Sequence, residues 1–365
     1  MKPARSALAL AASLATFAAA PPPALAAAEA APVVTAPVRV PGGVTDAEGT
    51  IVLVRTPAGA VEAVDGATGA SLWFSAAPAR ALLVARGIAY VLEQRGPGAL
   101  RVLAIEPRTA VSAASWPLPS GALPGWAGLG AGGGRVVTTV AVAARLVNAT
   151  LEVALDARQV TLGGMGLIPG PEARAIVRIN TRSGASEVAA GERVRQPPLA
   201  VPPPSGVKVR LARFHVRVAD EALVLGAPPP QVEGVLAAGD VLVGFEWAPA
   251  KVSVHRFAAA TGAPAPPVEI LAETDAIWVT LDRHHIALRR ARDQRLVDLH
   301  ALEGGARIAT LEAAFDIAVV AGRVWWTRRA GAEVVLSVLD PERERTLWRR
   351  TLARYDDGPL GEPIP

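Results

Sequence analysis

Short apolar runs separated by turn residues make up most of the chain. Residues 49–75, GTIVLVRTPAGAVEAVDGATGASLWFS, alternate between runs of Val, Ile and Leu and clusters of Gly, Pro, Asp and Ala. Residues 85–107 and 317–344 repeat this pattern. β-Branched runs bounded by such residues are typical of strands joined by tight turns. The pattern predicts an all-β fold, with no long helical periodicity after the first thirty or so residues.

The turn within AVDGATGASLW (residues 63–73) recurs along the chain. Its anchor, Asp65, is matched in later units by Glu106, Asn180, Ala258, His300 and Asp340. The spacings are 41, 74, 78, 42 and 40 residues, so the unit is about forty residues long. A period of about forty residues in β-rich sequence indicates propeller blades. We predict a β-propeller of four-stranded blades, seven in number, with six or eight as alternatives.

The recurring turn has a local physical explanation. Asp65 follows a strand and is placed to accept hydrogen bonds from backbone N–H groups of the turn, with the Thr68 hydroxyl beside it. Gly69 supplies the positive φ that closes a short loop. Trp73 then buries its ring against a neighbouring blade, its indole N–H bonding a carbonyl. The predicted structural turn residues are Asp65, Thr68, Gly69, Trp73, Asn180, Gly184, Thr261, Gly262, Asp340 and Trp348.

The segment AVDGATGASLW resembles the Ala-x-Asp-x-x-Thr-Gly-x-x-x-Trp docking motif of PQQ-type (quinoprotein-like) β-propeller repeats. The resemblance extends from about residue 45 to 355 and implies that the motif stabilises the propeller. Family dehydrogenases, as the resemblance implies, are longer, bind calcium beside the quinone and often carry a disulfide of adjacent cysteines. This chain has no Cys. We therefore predict no cofactor, neither PQQ nor calcium.

The N-terminus reads as an export signal. Lys2 and Arg5 precede an apolar run from Ala7 to Ala20, and Ala24-Leu25-Ala26 offers a cleavage site. An uncleaved anchor and a disordered Ala-rich leader are the alternatives. We predict a signal peptide over residues 1–28, a single propeller domain over 33–365, and a periplasmic or extracellular location. Without Cys, the exported chain has no disulfides and is held together by its core alone.

Three further segments carry structural expectations. Residues 144–173 read as an inserted hairpin with a Gly-rich loop. Val38–Val40 are predicted to close the ring by pairing with the C-terminal blade near residues 346–352. Of the neighbours Trp325 and Trp326, one is expected in the core and the other exposed, since successive strand residues face opposite sides.

Candidate chemistry is sparse. Residues 282–285, Asp-Arg-His-His, form the densest polar cluster, but in a strand His284 and His285 point to opposite faces and cannot easily share a metal. We interpret the cluster as a loop between strands and predict no catalytic or metal-binding residues. Trp126, in a Gly-rich loop, is a possible partner contact, although simple packing is favoured.

Together these features favour a non-catalytic exported propeller that binds or scaffolds a protein or peptide. The alternative is an enzyme that uses the central channel, either a PQQ-dependent dehydrogenase or a metal-dependent hydrolase. The net charge of +4 comes from Arg residues scattered among acidic ones, so we predict no nucleic-acid partner. We also predict a monomer without a membrane-spanning segment. No recognisable motif identifies the partner or the face of the propeller that binds it.

Overall fold

The structure is a computed structural model. It describes residues 33–96, 99–127, 129, 136–163, 166–191, 208–211, 214–217, 235–238, 241–248, 250–258, 264–271, 277–281, 284–290, 293, 295–312 and 314–354. All regular elements in these residues are β-strands, so the all-β prediction is confirmed. The predicted signal peptide, the turn residues Thr261 and Gly262, and residues 282–283 lie outside the described residues.

The strands of the N-terminal half form three sheets. These strands are β1 (Val34–Thr35), β2 (Val38–Val40), β3 (Gly43–Thr45), β4 (Ile51–Arg55), β5 (Val61–Asp65), β6 (Ser71–Phe74), β7 (Ala79–Ala85), β8 (Ile88–Gly96), β9 (Ala99–Glu106), β10 (Val111–Pro117), β11 (Val136–Val147), β12 (Thr150–Gly163), β13 (Gly166–Asn180) and β14 (Ser186–Ala190). The first sheet is β2–β6, the second is β7–β10, and the third is β11–β14 with β1 at its edge.

Four more sheets follow. Their strands are β15 (Lys208–Leu211), β16 (Phe214–Arg217), β17 (Val235–Ala238), β18 (Val241–Ala248), β19 (Lys251–Ala258), β20 (Pro264–Leu271), β21 (Ile277–Leu281), β22 (His285–Arg289), β23 (Val297–Ala301), β24 (Arg307–Leu311), β25 (Ala314–Val320), β26 (Arg323–Ala330), β27 (Glu333–Asp340) and β28 (Arg345–Arg354). The fourth sheet has only β15 and β16 in the described residues, and the fifth, sixth and seventh have four strands each. The blade number therefore stays a prediction.

Within the described residues, each sheet pairs consecutive strands antiparallel, apart from β1, which joins β11 at the edge of the third sheet. The middle strands are buried along most of their length, as in β4 (Ile51–Arg55) and β26 (Arg323–Ala330). One core cluster joins the first and second sheets, another the second and third, and another the sixth and seventh. An apolar sheet can bury both of its faces only when another sheet packs on each side. This packing therefore explains the repeated pattern of strand and turn.

The seventh sheet also packs on the first. Val52, Val54 and Val64 of the first sheet share a core cluster with residues of the seventh that include Trp325 and Trp348. Strands of neighbouring sheets contact one another: β3 with β7, β7 with β11, β21 with β25, and β2 with β25. These contacts link the sixth, seventh, first, second and third sheets in order, and the fold is a β-propeller whose first and last described sheets meet. In a propeller, the innermost strands of the blades enclose a central channel.

Two sequence expectations about this fold are wrong. Residues 144–173 are not an inserted hairpin, because β11, β12 and β13 run through them as continuous strands of the third sheet. All of β11 pairs with β12, and the turn at Asn148 (φ 55°) joins these two strands of the blade. Trp325 and Trp326 do face opposite sides, but both are buried, at 0% and 7% exposure, because both faces of β26 are covered.

The predicted closing strand is also wrong. Val38–Val40 pair with Gly43–Thr45 within the first sheet, and not with β28. The Pro41-Gly42 turn makes this local hairpin, and Gly42 has φ 73°. The ring is joined instead by side chains: Val40 is buried in the cluster shared with the seventh sheet, and Gly42 lies against Leu352.

Candidate functional site

The turn after β5 is built from local hydrogen bonds. Asp65 Oδ1 accepts from the backbone N–H groups of Ala67 (3.1 Å) and Thr68 (3.0 Å) and from the Thr68 hydroxyl (3.0 Å). Burial would raise the pKa of the Asp65 carboxyl, but these hydrogen bonds and the charge of Arg108 outweigh it and lower the pKa. Gly69 donates its N–H to the Asp65 carbonyl (2.8 Å) with φ 72°. The carboxylate is thus occupied in holding the turn.

The same turn recurs at four other described anchors. Asn180 Oδ1 accepts from Arg182 and Ser183, and Asp340 Oδ1 accepts from Glu342 and Arg343. The Thr109 hydroxyl donates to the Glu106 carboxylate, and His300 Nδ1 lies 3.2 Å from the Gly305 carbonyl. Four residues after each anchor the backbone has positive φ, at Gly69, Ala110, Gly184, Gly304 and Glu344. Only three of these five positions hold Gly, the residue that adopts this conformation without strain.

A tryptophan from another sheet sits on the Asp65 turn. Trp348 of β28 donates its indole N–H to the Gly66 carbonyl (3.0 Å) and contacts Trp325 edge-on, with ring centroids 5.5 Å apart. A Cβ added to Gly69 would lie 2.5 Å from Trp348 Cγ, so only glycine admits the ring here. Arg350 also donates to the Gly69 carbonyl (2.5 Å). The turn of the first sheet therefore receives the outer strand of the seventh.

Other sheets meet in the same way. Trp116 of β10 lies over the turn of the third sheet, since a Cβ added to Gly184 would be 3.3 Å from Trp116 Cδ1. Glu269 of β20 approaches Gly305 in the turn of the sixth sheet. Trp116 was not singled out by the sequence because it stands ten residues after its anchor instead of eight. A bulge between Ser112 and Ala114 absorbs part of this offset.

Trp73 lies differently from Trp348, although it belongs to the best-matching unit. It is half-buried and packs on the core cluster between the first and second sheets. The next sheet around the ring is the second, and the positive-φ position of its turn holds Ala110 instead of glycine. Arg108 of that turn pairs with Asp65 (3.3 Å). The structure thus brings Asp65, Thr68 and Gly69 together with Trp348, and places Trp73 at the next interface.

The remaining candidates have packing environments. Trp126 is half-buried against the core cluster between the second and third sheets, beside Leu129. His285 is buried and His284 exposed, with ring centroids 6.1 Å apart. In the part of the chain that the structure describes, no three His, Cys, Asp or Glu side chains are grouped so that they could hold a metal ion.

The channel side of the propeller carries an N-terminal arm, residues 33–40. Its strand β1 pairs with the end of β11, Val34 opposite Val147 and Thr35 opposite Leu146. Its strand β2 pairs with β3 of the first sheet and contacts β25 of the seventh. The arm therefore links the third sheet, through β1 and β11, to the first sheet, through β2 and β3. The sequence showed an apolar, alternating segment here but not its route.

Burial lowers the pKa values of three arginine side chains. Burial lowers the pKa of Arg39 on the arm and of Arg289, and the nearby Asp316 opposes this effect. Arg80 is the second residue of β7, and burial together with the positive charge of Arg55 lowers its pKa to about 10. The nearest carboxylate along the paired strand, Glu93, is bound by Arg95 (2.9 Å) and Arg101 (2.6 Å).

No protein-family model matches the chain, and no curated protein matches its sequence. Several solved structures are similar at low identity. BamB from Moraxella catarrhalis is 12% identical over 79% of each chain, with a TM-score of 0.25. AztD from Citrobacter koseri is 10% identical over 87% of each chain, with a TM-score of 0.32. The dihydro-heme d1 dehydrogenase NirN is 13% identical over 84% of this chain and 65% of its own, with a TM-score of 0.29. At these TM-scores the likenesses decide nothing about function.

The described residues contain no helix of the length and apolarity needed to cross a membrane.

Proposed function

We propose that this protein is a non-catalytic, exported β-propeller of the PQQ-like repeat type that binds or scaffolds a protein or peptide partner as a monomer. The observation that carries the proposal is the N-terminal arm. Its strands β1 and β2 add to two different sheets, pairing with β11 of the third and β3 of the first. The arm supports use of the propeller's strands and loops as a binding surface.

The turn residues support the same proposal. The Asp65 carboxylate, the atom group most suited to chemistry in the repeat, accepts three hydrogen bonds within its own turn and pairs with Arg108. The Trp348 indole N–H is bound to Gly66. A group whose donors and acceptors are used in packing is poorly placed to bind a cofactor.

Affinity capture tests the proposed function. The tagged chain is incubated with periplasmic extract and the bound proteins are identified by mass spectrometry. A partner should be enriched, should be displaced by excess untagged chain, and should bind again when both proteins are purified. If no protein meets these three conditions, the binding function is wrong.

A second measurement addresses the alternative enzyme. The purified chain is mixed with PQQ and calcium and its visible absorption spectrum is recorded. We expect the spectrum of free quinone. A shifted quinone spectrum with stoichiometric uptake would overturn the proposal in favour of a quinone-dependent dehydrogenase.

A further inference from the structure

The turn of the sixth sheet is anchored by a histidine. The corresponding anchors in other sheets are Asp65, Glu106, Asn180 and Asp340, and the sixth sheet has His300. A carboxylic acid ordinarily titrates near pH 4 and an asparagine does not titrate, whereas an imidazole titrates at about pH 6.5. Of the repeat turns that the structure describes, this one alone has an anchor whose charge ordinarily changes between pH 5 and 8.

The His300 ring is buried in its neutral form. The residue is 4% exposed, and Nδ1 donates to the Gly305 carbonyl at 3.2 Å, so the neutral ring carries its proton on Nδ1. Within the described part of the chain, Nε2 makes no hydrogen bond. A second proton, on Nε2, would therefore place a positive charge on a buried ring without a new hydrogen-bond acceptor.

The charges of Asp298 and Arg307 act on His300 in opposite directions. Both Asp298 oxygens are already committed, since Arg290 donates to them at 2.7 and 2.8 Å and the Thr310 hydroxyl donates at 2.7 Å. Arg307 lies directly opposite His300 on β24 and repels a second positive charge. Other ionisable groups of the described residues on the surrounding elements are Glu303, Glu269, Lys251, His255, Arg256, His284 and His285.

These surroundings favour the neutral ring. Burial lowers the pKa of His300 below its ordinary value, and the charge of Arg307 lowers it further. The hydrogen bond to Gly305 and the charge of Asp298 oppose this effect but do not cancel it. The folded turn therefore binds a proton more weakly than an open turn with a hydrated ring.

The outer strand of the fifth sheet, β20, rests directly on this turn. A Cβ added to Gly305 would lie 2.6 Å from the Glu269 carbonyl oxygen and 3.1 Å from Val268 Cγ1. We call this contact the β20 joint. At the corresponding contact of the seventh and first sheets, Trp348 covers the turn, but β20 (PAPPVEIL) has no aromatic residue. Because less apolar area is buried, separating the β20 joint costs less free energy than separating the Trp348 contact.

From this geometry we infer that the β20 joint is a pH-sensitive device, in which protonation of His300 opens the turn and releases β20 from the sixth sheet. The protonated ring gains hydration only when the turn moves. Since the backbone of Glu269 lies against Gly305, this movement separates the two sheets at the turn. The inference goes beyond the proposed binding function and does not depend on it.

The direction and the limit of the effect follow from proton linkage. The joint is fully stable above the ordinary pKa of histidine, about 6.5, and weakens as the pH falls through the lowered pKa of His300. Between about pH 7.5 and pH 5, the population of the open joint should rise several-fold. The upper limit is about thirtyfold, because pH 5 lies about 1.5 units below the pKa of a fully hydrated ring.

Hydrogen exchange of the full chain, followed by mass spectrometry, measures this opening. Protection factors are compared at about pH 7.5 and pH 5, after correction for the intrinsic exchange rate at each pH. Peptides covering residues 264–271 and 300–307 should lose protection several-fold at the lower pH. Peptides covering residues 51–55 and 333–340, in the first and seventh sheets, should keep theirs. Unchanged protection at 264–271, or an equal loss in all four peptides, would overturn the inference.

Two variants assign the effect to His300. His300→Asn supplies the anchor that the third sheet uses at Asn180, and His300→Asp supplies that of the first sheet at Asp65. Neither new side chain changes charge appreciably between about pH 7.5 and pH 5. Both variants should therefore keep the protection of residues 264–271 at the lower pH, and either one alone suffices for the test. If the acid-induced loss persists in a folded variant, His300 is not its cause.

The other histidines near the joint provide matched controls. His255→Asn changes a half-buried ring in β19, and His284→Asn changes an exposed ring before β22. Both variants should retain the loss of protection that the unmodified chain shows at about pH 5. If one of them abolishes this loss, that histidine controls the joint and the inference for His300 is wrong.

Discussion

Trp348 and Trp73 occupy equivalent places in two repeat units but different environments. Trp348 is 9% exposed, bonds its indole N–H to Gly66 and lies directly on Gly69. Trp73 is half-buried at the interface between the first and second sheets. The turn facing Trp348 has glycine at its positive-φ position, whereas the corresponding turn of the second sheet has Ala110. The comparison teaches that the glycine, as much as the tryptophan, sets how closely two blades meet.

Trp348→Ala should have the largest effect on stability. It removes a buried ring between the seventh and first sheets and leaves the Gly66 carbonyl without its donor. We expect a loss of about 3–5 kcal/mol in the free energy of unfolding, as for other large aromatic truncations. Denaturant unfolding followed by circular dichroism measures it. Trp348→Phe, which keeps one aromatic ring and loses the N–H and part of the indole area, should cost less, roughly 1–3 kcal/mol, and an equal loss for both variants would contradict the packing argument.

Gly69→Ala breaks the same contact from the other side. The new Cβ would lie 2.5 Å from Trp348 Cγ and would occupy a backbone with φ 72°. The left-handed conformation costs about 1 kcal/mol and overpacking another 1–3, so we expect roughly 2–4 kcal/mol of destabilisation. Gly59→Ala is the matched control: its φ is 77°, but nothing lies within 4 Å of the added Cβ. Gly59→Ala should cost only the free energy of the left-handed backbone, about 1 kcal/mol.

Trp73→Ala should cost less than Trp348→Ala. Its ring is only partly buried, so we expect roughly 1–3 kcal/mol, scaled from the burial it loses. The same unfolding measurement compares the two variants directly. A loss as large as that of Trp348→Ala would mean that Trp73 docks as closely on the second sheet, and that Ala110 does not hold it away.

Much of this interface chemistry is local and readable in the sequence. Asp65, Thr68 and Gly69 form their turn through bonds that span at most four residues, so their spacing alone predicts it. The partner of the turn is not local: Trp348 and Gly66 are 282 residues apart. The motif AVDGATGASLW carries both a turn and a tryptophan, and this proximity in sequence pointed to Trp73 as the closely docked ring.

The N-terminal arm also shows that local sequence predicts a strand and a turn but not the distant strand that pairs with them. Its alternating apolar residues predict a strand, and the Pro41-Gly42 pair is a turn signal that favours the local hairpin of β2 with β3. The predicted pairing of Val38–Val40 with the C-terminal blade overlooked this turn. The pairing of Val34 with Val147 depends on how the third sheet sits beside the channel, which no local spacing encodes. Strands and turns follow from residue chemistry, while the choice of edge follows from the assembled ring.

The smallest predicted effect is a gain in stability at Glu344. This residue holds the positive-φ position in the turn of the seventh sheet, with φ 50°, where three other turns have glycine. The Glu344 side chain is exposed, so Glu344→Gly removes the strain of the left-handed backbone without losing packing. This gain in free energy exceeds the cost of the extra entropy that glycine gives the unfolded chain. We expect the free energy of unfolding to rise by roughly 0.5–1 kcal/mol.

Two controls separate backbone strain from charge in that turn. Glu344→Ala removes the carboxylate but keeps Cβ, so it should leave stability nearly unchanged. Glu342→Gly places glycine two residues earlier, where φ is not positive, and should destabilise by roughly 0.5–1 kcal/mol through the unfolded chain alone. If Glu344→Gly also destabilises, the turn tolerates its side chain without strain. In that case the glycine at position 69 is required only for the close approach of Trp348, and not for the turn itself.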